Sequence, residues 1–348
     1  MKKLFSLSLV LFLSLNLFAQ LPRVIILATG GTIAGAGSSA DRAGYQAGAL
    51  PIDDLLGAVP QIHKIAKVSG EQISSVGSQD MSIDIWLKMN KRINEIFAKN
   101  QADAVVITHG TDTKEETAFF LNLTLRSDKP VVLTGSMRPA TAISADGPKN
   151  LFDAVVVAAS PASNGRGPIV VFSENIFDAR DIVKANSTHV EAFTAPNAGP
   201  IGQVYDGKVN YYNSNTRKSD KNTPFDVSAL TKLPKVEIVY MYADADPLLI
   251  NTLVANKVDG IVIAGVGNGN FNKAYYTAIE NAVKNGVIVC RATRCYGGRV
   301  VLEDEIDDAK LGTIVSDDLS PAKARILLML GLTQTKDKKQ LQDYFFQF

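Results

Sequence analysis

Residues 23–35 read RVIILATGGTIAG, and the fold class follows from how this stretch is built. Val24, Ile25, Ile26 and Leu27 form an apolar run too short for a helix and right for a strand covered on both faces. Gly30 and Gly31 follow, flanked by Thr29 and Thr32. Paired glycines after a buried strand let the backbone turn sharply and let a ligand approach with no Cβ in the way. Open α/β sheets bind ligands at the carboxyl ends of such strands, so two threonine hydroxyls stand where chemistry is expected. A tight turn with capping threonines accounts for the same residues without any function. Gly35, Gly37 and Ala40 do fit G-x-G-x-x-A. They lie too far past the strand and open no apolar-periodic helix, so they do not support a dinucleotide fold.

The pattern repeats outward from this stretch. Short apolar runs at 104–107, 130–133 and 169–172 read as further buried strands. The first ends in THGTDT (108–113), where Thr113 and Glu116 have capping-box spacing while Thr111 and Asp112 are not needed for capping. The second ends in GSMRP (135–139), which carries Ser136, and SADGP (144–148) then leads into an apolar helix to Ala159. Strands at 64–69 and 72–76 are expected to precede GSQDM (77–81), with Asp80 or Ser82 opening a helix over 83–99. In that helix Trp86, Met89, Ile93, Ile96 and Phe97 recur at core spacing. Helices are also expected over 51–59 and 115–125. Tyr45 sits in a glycine-rich loop, 35–48, of a length typical of a functional lid or of disorder. Lys184 lies in a charged stretch within an apolar setting; a buried role for it requires a partner, and Asp112 is the natural one.

Beyond the polar stretch 211–223 the pattern restarts at smaller scale, with strands at 236–240, 260–264 and 287–290 alternating with helices at 247–255 and 272–285. Helices at 321–332 and 338–346 close the chain. The expected fold is α/β: a larger N-terminal domain (21–210) with a mixed, mostly parallel sheet, a linker (211–232) and a smaller parallel α/β domain (233–348). The GVGNGN turn (265–270) suits a switch point, and the acidic run at 303–308 reads as a solvated face.

Composition narrows the function. With 348 residues and 46% hydrophobic content the chain can fill one large or two ordinary domains. Its 36 basic residues nearly balance 35 acidic ones, and no basic block makes a case for nucleic acid or an anionic membrane, so the partner is a small molecule. Residues 1–20 have the form of a signal peptide, with Lys2 and Lys3 before an apolar stretch and Ala19 for cleavage. The stretch is short for a membrane span, and no cysteine marks a lipoprotein junction, so export to the periplasm is expected. Cys290 ends an apolar run and reads as a buried hydrophobe; a bridge to Cys295 stays open. Two cysteines and three histidines do not make a zinc site, and no metal or cofactor is expected.

Neither His63 nor His189 has the surroundings of a catalytic triad, and His109, at a strand end, reads as a packed histidine. No G-x-S-x-G elbow is present. Hydroxyl chemistry without histidine remains, and a threonine needs a base or a polarising neighbour; Tyr45, Asp112, Lys184 and the acidic run around Glu305 are available.

These residues carry a resemblance. ATGGTIAG (28–35) with THGTDT resembles the two signature motifs of the bacterial type II L-asparaginases, and GSQDM, GSMRP, SADGP, GVGNGN and 303–310 follow in the family's order over residues 21–348. The resemblance implies hydrolysis of L-asparagine through Thr32 as nucleophile, with Tyr45 on the lid and Thr111, Asp112 and Lys184 as a second catalytic group. It also implies substrate contacts from Gly31, Ser78, Gln79, Thr111, Asp112 and Ser136. Asn270 and Glu305 would reach in from a neighbouring subunit of a homotetramer built from intimate dimers. Asn270 stands where the family varies, often to serine, and so bears on the choice between asparagine and glutamine. A dual glutaminase-asparaginase is the nearest alternative, and an exported amino-acid-binding protein without turnover is a more distant one. Some relatives carry a disulfide in the large domain, but Phe97 and Ser127 stand near those positions here.

Overall fold

The computed structural model describes residues 20–37, 39, 44–214, 217 and 219–348. The segment read as a signal peptide lies, but for its last residue, outside them. In chain order the strands are β1 (Arg23–Gly30), the short hairpin β2 (Ala36–Gly37) and β3 (Tyr45–Gln46), β4 (Lys67–Val76), β5 (Ala104–Thr108), β6 (Val131–Thr134), β7 (Pro168–Phe172) and β8 (Asn175–Asp178). They continue with β9 (Val183–Lys184), β10 (Phe193–Thr194), β11 (Gly202–Tyr205) and β12 (Lys208–Tyr211), then β13 (Val236–Tyr240), β14 (Gly260–Gly265), β15 (Ile288–Thr293) and β16 (Ile314–Val315). The α-helices are α1 (Ile52–Gly57), α2 (Ile83–Ala98), α3 (Lys114–Thr124), α4 (Gly147–Ala159), α5 (Leu248–Ala255), α6 (Lys273–Lys284), α7 (Asp308–Leu311), α8 (Pro321–Leu332) and α9 (Lys338–Gln347).

The large domain holds an eight-stranded sheet in the order β12-β11-β8-β7-β6-β5-β1-β4. From β4 through β7 every neighbouring pair is parallel; β8, β11 and β12 extend the sheet antiparallel. Both faces of the parallel part are covered, as its unbroken apolar runs require. Ile25, Leu27, Val105 and Ile107 face a core built with α2 and α3, while Val24, Ile26, Ala104 and Val106 face one built with α1 and α4. The small domain is a four-stranded parallel sheet, β13-β14-β15-β16.

Helix α8 joins the two sheets. Its sequence, PAKARILLMLGL, is apolar apart from Lys323 and Arg325, and most of the helix is buried. Its leucines share one core with Phe119 and Leu123 of α3 and with Val262 and Cys290 of the small sheet. In the connection between the sheets, Phe225 is buried against the rings of Tyr344 and Phe348.

Three local expectations are corrected. The segment read as two strands is one, because Gly70 is a contact glycine and not a turn. A Cβ there would lie 2.5 Å from Ile52 Cγ1 of α1, and Glu71 beside it pairs with Arg92 of α2 at 2.6 Å. The capping box at Thr113 does not form: the Thr113 hydroxyl donates instead to the Ser78 carbonyl at 2.7 Å. The acidic run is not all solvated, since Asp308 is buried and binds Arg291 through two hydrogen bonds of 2.6 Å. Cys290 is buried as expected, and both it and Cys295 are free thiols. Phe97 belongs to the core.

Candidate active site

Strands β4, β1, β5 and β6 are parallel neighbours, so the turns at their carboxyl ends fall side by side. Those turns carry Ser78, Thr32, Thr111 and Ser136, respectively. What lets them meet is glycine. Gly31 has φ +80°, and a Cβ on it would stand 2.4 Å from the backbone of Gly110. A Cβ on Gly110 would in turn stand 2.6 Å from Ser78 Oγ. Three backbone turns are thus in direct contact, which no larger residue allows.

Thr32 opens a short 3-10 turn (Thr32–Ala34) and is buried. Its Oγ1 lies 2.6 Å from the hydroxyl of Tyr45, which is partly exposed on the hairpin β2–β3. The ring rests against Gly35, where a Cβ would come within 2.7 Å of it. The loop is pinned at both ends: Gly48 N–H donates to Gly31 O at 3.0 Å, and Gly37 N–H to Thr141 Oγ1 at 2.9 Å.

Thr111 is also buried, and Lys184 reaches it from β9. Lys184 Nζ donates to Thr111 Oγ1 at 2.8 Å and to Asp112 Oδ1 at 2.6 Å. Asp112 is held at its backbone, its N–H donating to Ser78 Oγ at 3.0 Å, while its carboxylate is exposed. Gln79 is exposed beside it. The Ser136 hydroxyl is buried and donates to Arg138 O at 2.7 Å, inside its own turn. Asn270 and Glu305 lie on the small domain and hydrogen-bond each other at 2.5 Å. Among the described residues neither bonds to the Thr32 or Thr111 turn. No three His, Cys, Asp or Glu side chains among the described residues converge as metal ligands would.

His109 supports the Thr111 turn and takes no part in it. Trp86 Nε1–H donates to Thr117 Oγ1 at 2.8 Å, Thr117 lies 2.9 Å from His109 Nε2, and His109 Nδ1 lies 2.7 Å from Gly110 O. The carbonyl can only accept, so Nδ1 carries the proton and Nε2 accepts from Thr117: the ring is neutral. Burial agrees, pushing its pKa down to about 4. Because the folded value lies below the ordinary one, the unfolded chain binds the proton first as pH falls from about 6.5 toward 4. Stability contributed by neutral His109 is full above that window and lost through it, by up to about 3 kcal/mol. Urea midpoints at pH 7.5 and 4.5 should therefore differ more for this protein than for His109→Gln.

Two charged residues in this region were not legible in the sequence. Lys114 is fully buried, and among the described residues its Nζ has no hydrogen-bond partner; it stands 4.4 Å from the Phe172 ring centroid. Burial holds its pKa well below the ordinary range. Glu115, which reads as a helix opener, accepts a hydrogen bond from Lys184 N–H at 2.6 Å. Its partner lies 69 residues away, and no local pattern points to it.

The family model described as "Asparaginase, N-terminal" matches residues 23–217, and that for the "Glutaminase/Asparaginase C-terminal domain" matches residues 235–345. The chain belongs to the asparaginase family. L-asparaginase 2 of Escherichia coli (strain K12) is 50% identical over 94% of each chain. A probable periplasmic L-asparaginase of Haemophilus influenzae is 50% identical over 95% of this chain and 94% of its own. Among solved asparaginase structures, a probable cytoplasmic L-asparaginase from Campylobacter jejuni superposes with a TM-score of 0.92 at 47% identity, covering 94% of this chain and all of that one. The contact of the three glycine-bearing turns is thus a feature of an asparaginase scaffold.

Proposed function

We propose that this protein is an L-asparagine amidohydrolase in which Thr32 is the nucleophile and Thr111, Asp112 and Lys184 form the second catalytic group. Hydrolysis of asparagine is the activity for which its relatives are named. The carrying observation is the Gly31–Gly110 contact, which sets two buried threonine hydroxyls, each with its own polarising partner, at one sheet edge.

A threonine hydroxyl attacks an amide only with help. Thr32 Oγ1 attacks the side-chain amide carbon as its proton passes toward Tyr45 Oη, 2.6 Å away. The C–N bond then breaks, ammonia leaves with the proton, and a β-aspartyl ester remains on Thr32. A water molecule beside Thr111 attacks that ester and releases aspartate; the Lys184 ammonium fixes Thr111 Oγ1 and balances Asp112. A backbone N–H of the Thr111 turn serves the oxyanion that develops at each step. A free amino acid brings a carboxylate and an ammonium, which suit Ser78 with Gln79 and the exposed Asp112 carboxylate, respectively.

The site is completed by a second subunit. Asn270 and Glu305 make a ready-formed polar pair on the small domain, and Tyr240, Tyr242, Leu248 and Leu249 are exposed on that domain. A homotetramer of intimate dimers accounts for both. The amino-terminal signal and the periplasmic name of the Haemophilus relative support export to the periplasm.

Ammonia release by the purified mature protein from L-asparagine and L-glutamine tests the activity. Asparagine is expected to be the better substrate. One methylene separates the two, a difference worth about 1–3 kcal/mol, so glutamine turnover should be measurable. Absence of turnover with either amide by a folded protein would leave an amino-acid-binding protein on this scaffold.

A further inference from the structure

Lys184 has four rotatable side-chain bonds, so its ammonium is only as well placed as its backbone. That backbone is held by two charged side chains from two different helices. Glu115, in the first turn of α3 just past Thr111 and Asp112, accepts from Lys184 N–H at 2.6 Å. Lys323 of α8 donates from Nζ to the carbonyls of Arg180 at 2.7 Å and Ile182 at 2.5 Å. Helices α3 and α8 pack against each other, so the segment 180–184 is gripped from both sides of one helix pair.

This grip is costly. Lys323 is fully buried, and burial pushes its pKa down to about 8. A leucine in its place would fill the core without that cost. Two of its N–H donors are spent on carbonyls one and three residues short of β9, the strand that carries Lys184.

We propose that Glu115 and Lys323 are positioning residues for amide hydrolysis: they fix segment 180–184 so that Lys184 Nζ meets Thr111 Oγ1 and Asp112 together. The inference rests on the assignment of Thr111, Asp112 and Lys184 as the second catalytic group. Neither residue touches the substrate. Both act through Lys184, and a displacement of about 1 Å at such a group is enough to cost roughly 100-fold in rate.

Steady-state kinetics of Glu115→Ala, Glu115→Gln, Lys323→Gln and Lys184→Met test it. Glu115→Ala should lower kcat by roughly 10- to 100-fold with KM changed less than about threefold. Glu115→Gln keeps an acceptor oxygen and should recover most of kcat, and Lys323→Gln should show a smaller loss than Glu115→Ala. An unchanged kcat in Glu115→Ala, or Glu115→Gln as impaired as Glu115→Ala, would overturn the proposal. If Glu115→Ala does not fold, an unchanged kcat in Lys323→Gln overturns it equally. Full activity in Lys184→Met would instead remove the underlying assignment, a result the Glu115 variants cannot imitate.

Discussion

Thr32→Ala is expected to lose asparagine turnover by roughly three orders of magnitude or more, while the protein stays folded and still takes up aspartate. The position tolerates the change structurally. Among the described residues the Thr32 side chain makes one hydrogen bond, to Tyr45, and the turn is held by backbone contacts from Gly31 N–H to Val76 O and Gly35 N–H to Thr32 O. On the proposed mechanism, removing the hydroxyl deletes the attacking oxygen, while the glycine contacts of the turn stay in place. Ammonia release under saturating asparagine, beside aspartate binding by calorimetry, separates the two effects. Near-normal turnover in the variant would move the nucleophile elsewhere, and Thr111 would be the first candidate.

Asp308→Ala is expected to destabilise the small domain by about 3–5 kcal/mol, the size seen when one member of a buried ion pair is removed. Asp308 and Arg291 are both 1% exposed at the side chain and share two bonds of 2.6 Å. Asp308 also accepts from Thr313 Oγ1 at 2.5 Å and from Glu303 N–H at 3.1 Å. Arg291 donates further to Asn268 O and Val301 O, so the pair ties together the two loops that carry Asn270 and Glu305. Chemical denaturation of Asp308→Ala, Arg291→Leu and the double variant Arg291→Leu with Asp308→Leu checks the cause. The double variant should be less destabilised than Asp308→Ala, because it strands no charge. Equal losses in all three would mean that packing, not charge, holds these loops.

Strands β1, β5, β6 and β7 were readable from the sequence because each holds a continuous apolar run, a signal carried by neighbouring residues. The pairing of Thr32 with Thr111 was readable for the same reason, since each follows such a run, whereas Ser78 follows the polar edge strand β4 and entered only through the family resemblance. Gly70 was misread because a glycine needed for contact with Ile52 is locally identical to one needed for a turn. Asp308 looked solvated amid other acids; its partner, Arg291, sits in the middle of β15, and pairing across the small domain leaves no periodic trace. The Glu115 bond to Lys184 and the burial of Lys114 escape for that reason too. Local pattern reports which face a side chain takes, but the identity of what waits there is set by distant segments.

The place of α8 also bears on when the molecule becomes whole. Until residues 321–332 arrive, Phe119 and Leu123 of α3 and Val262 and Cys290 of the small sheet lack the leucines that share their core. A chain that emerges from its amino end first would leave this apolar seam open until nearly all of it had emerged. Assembly is then governed by the last segment delivered. A carrier that keeps the unfinished chain unaggregated would have this seam as its natural target.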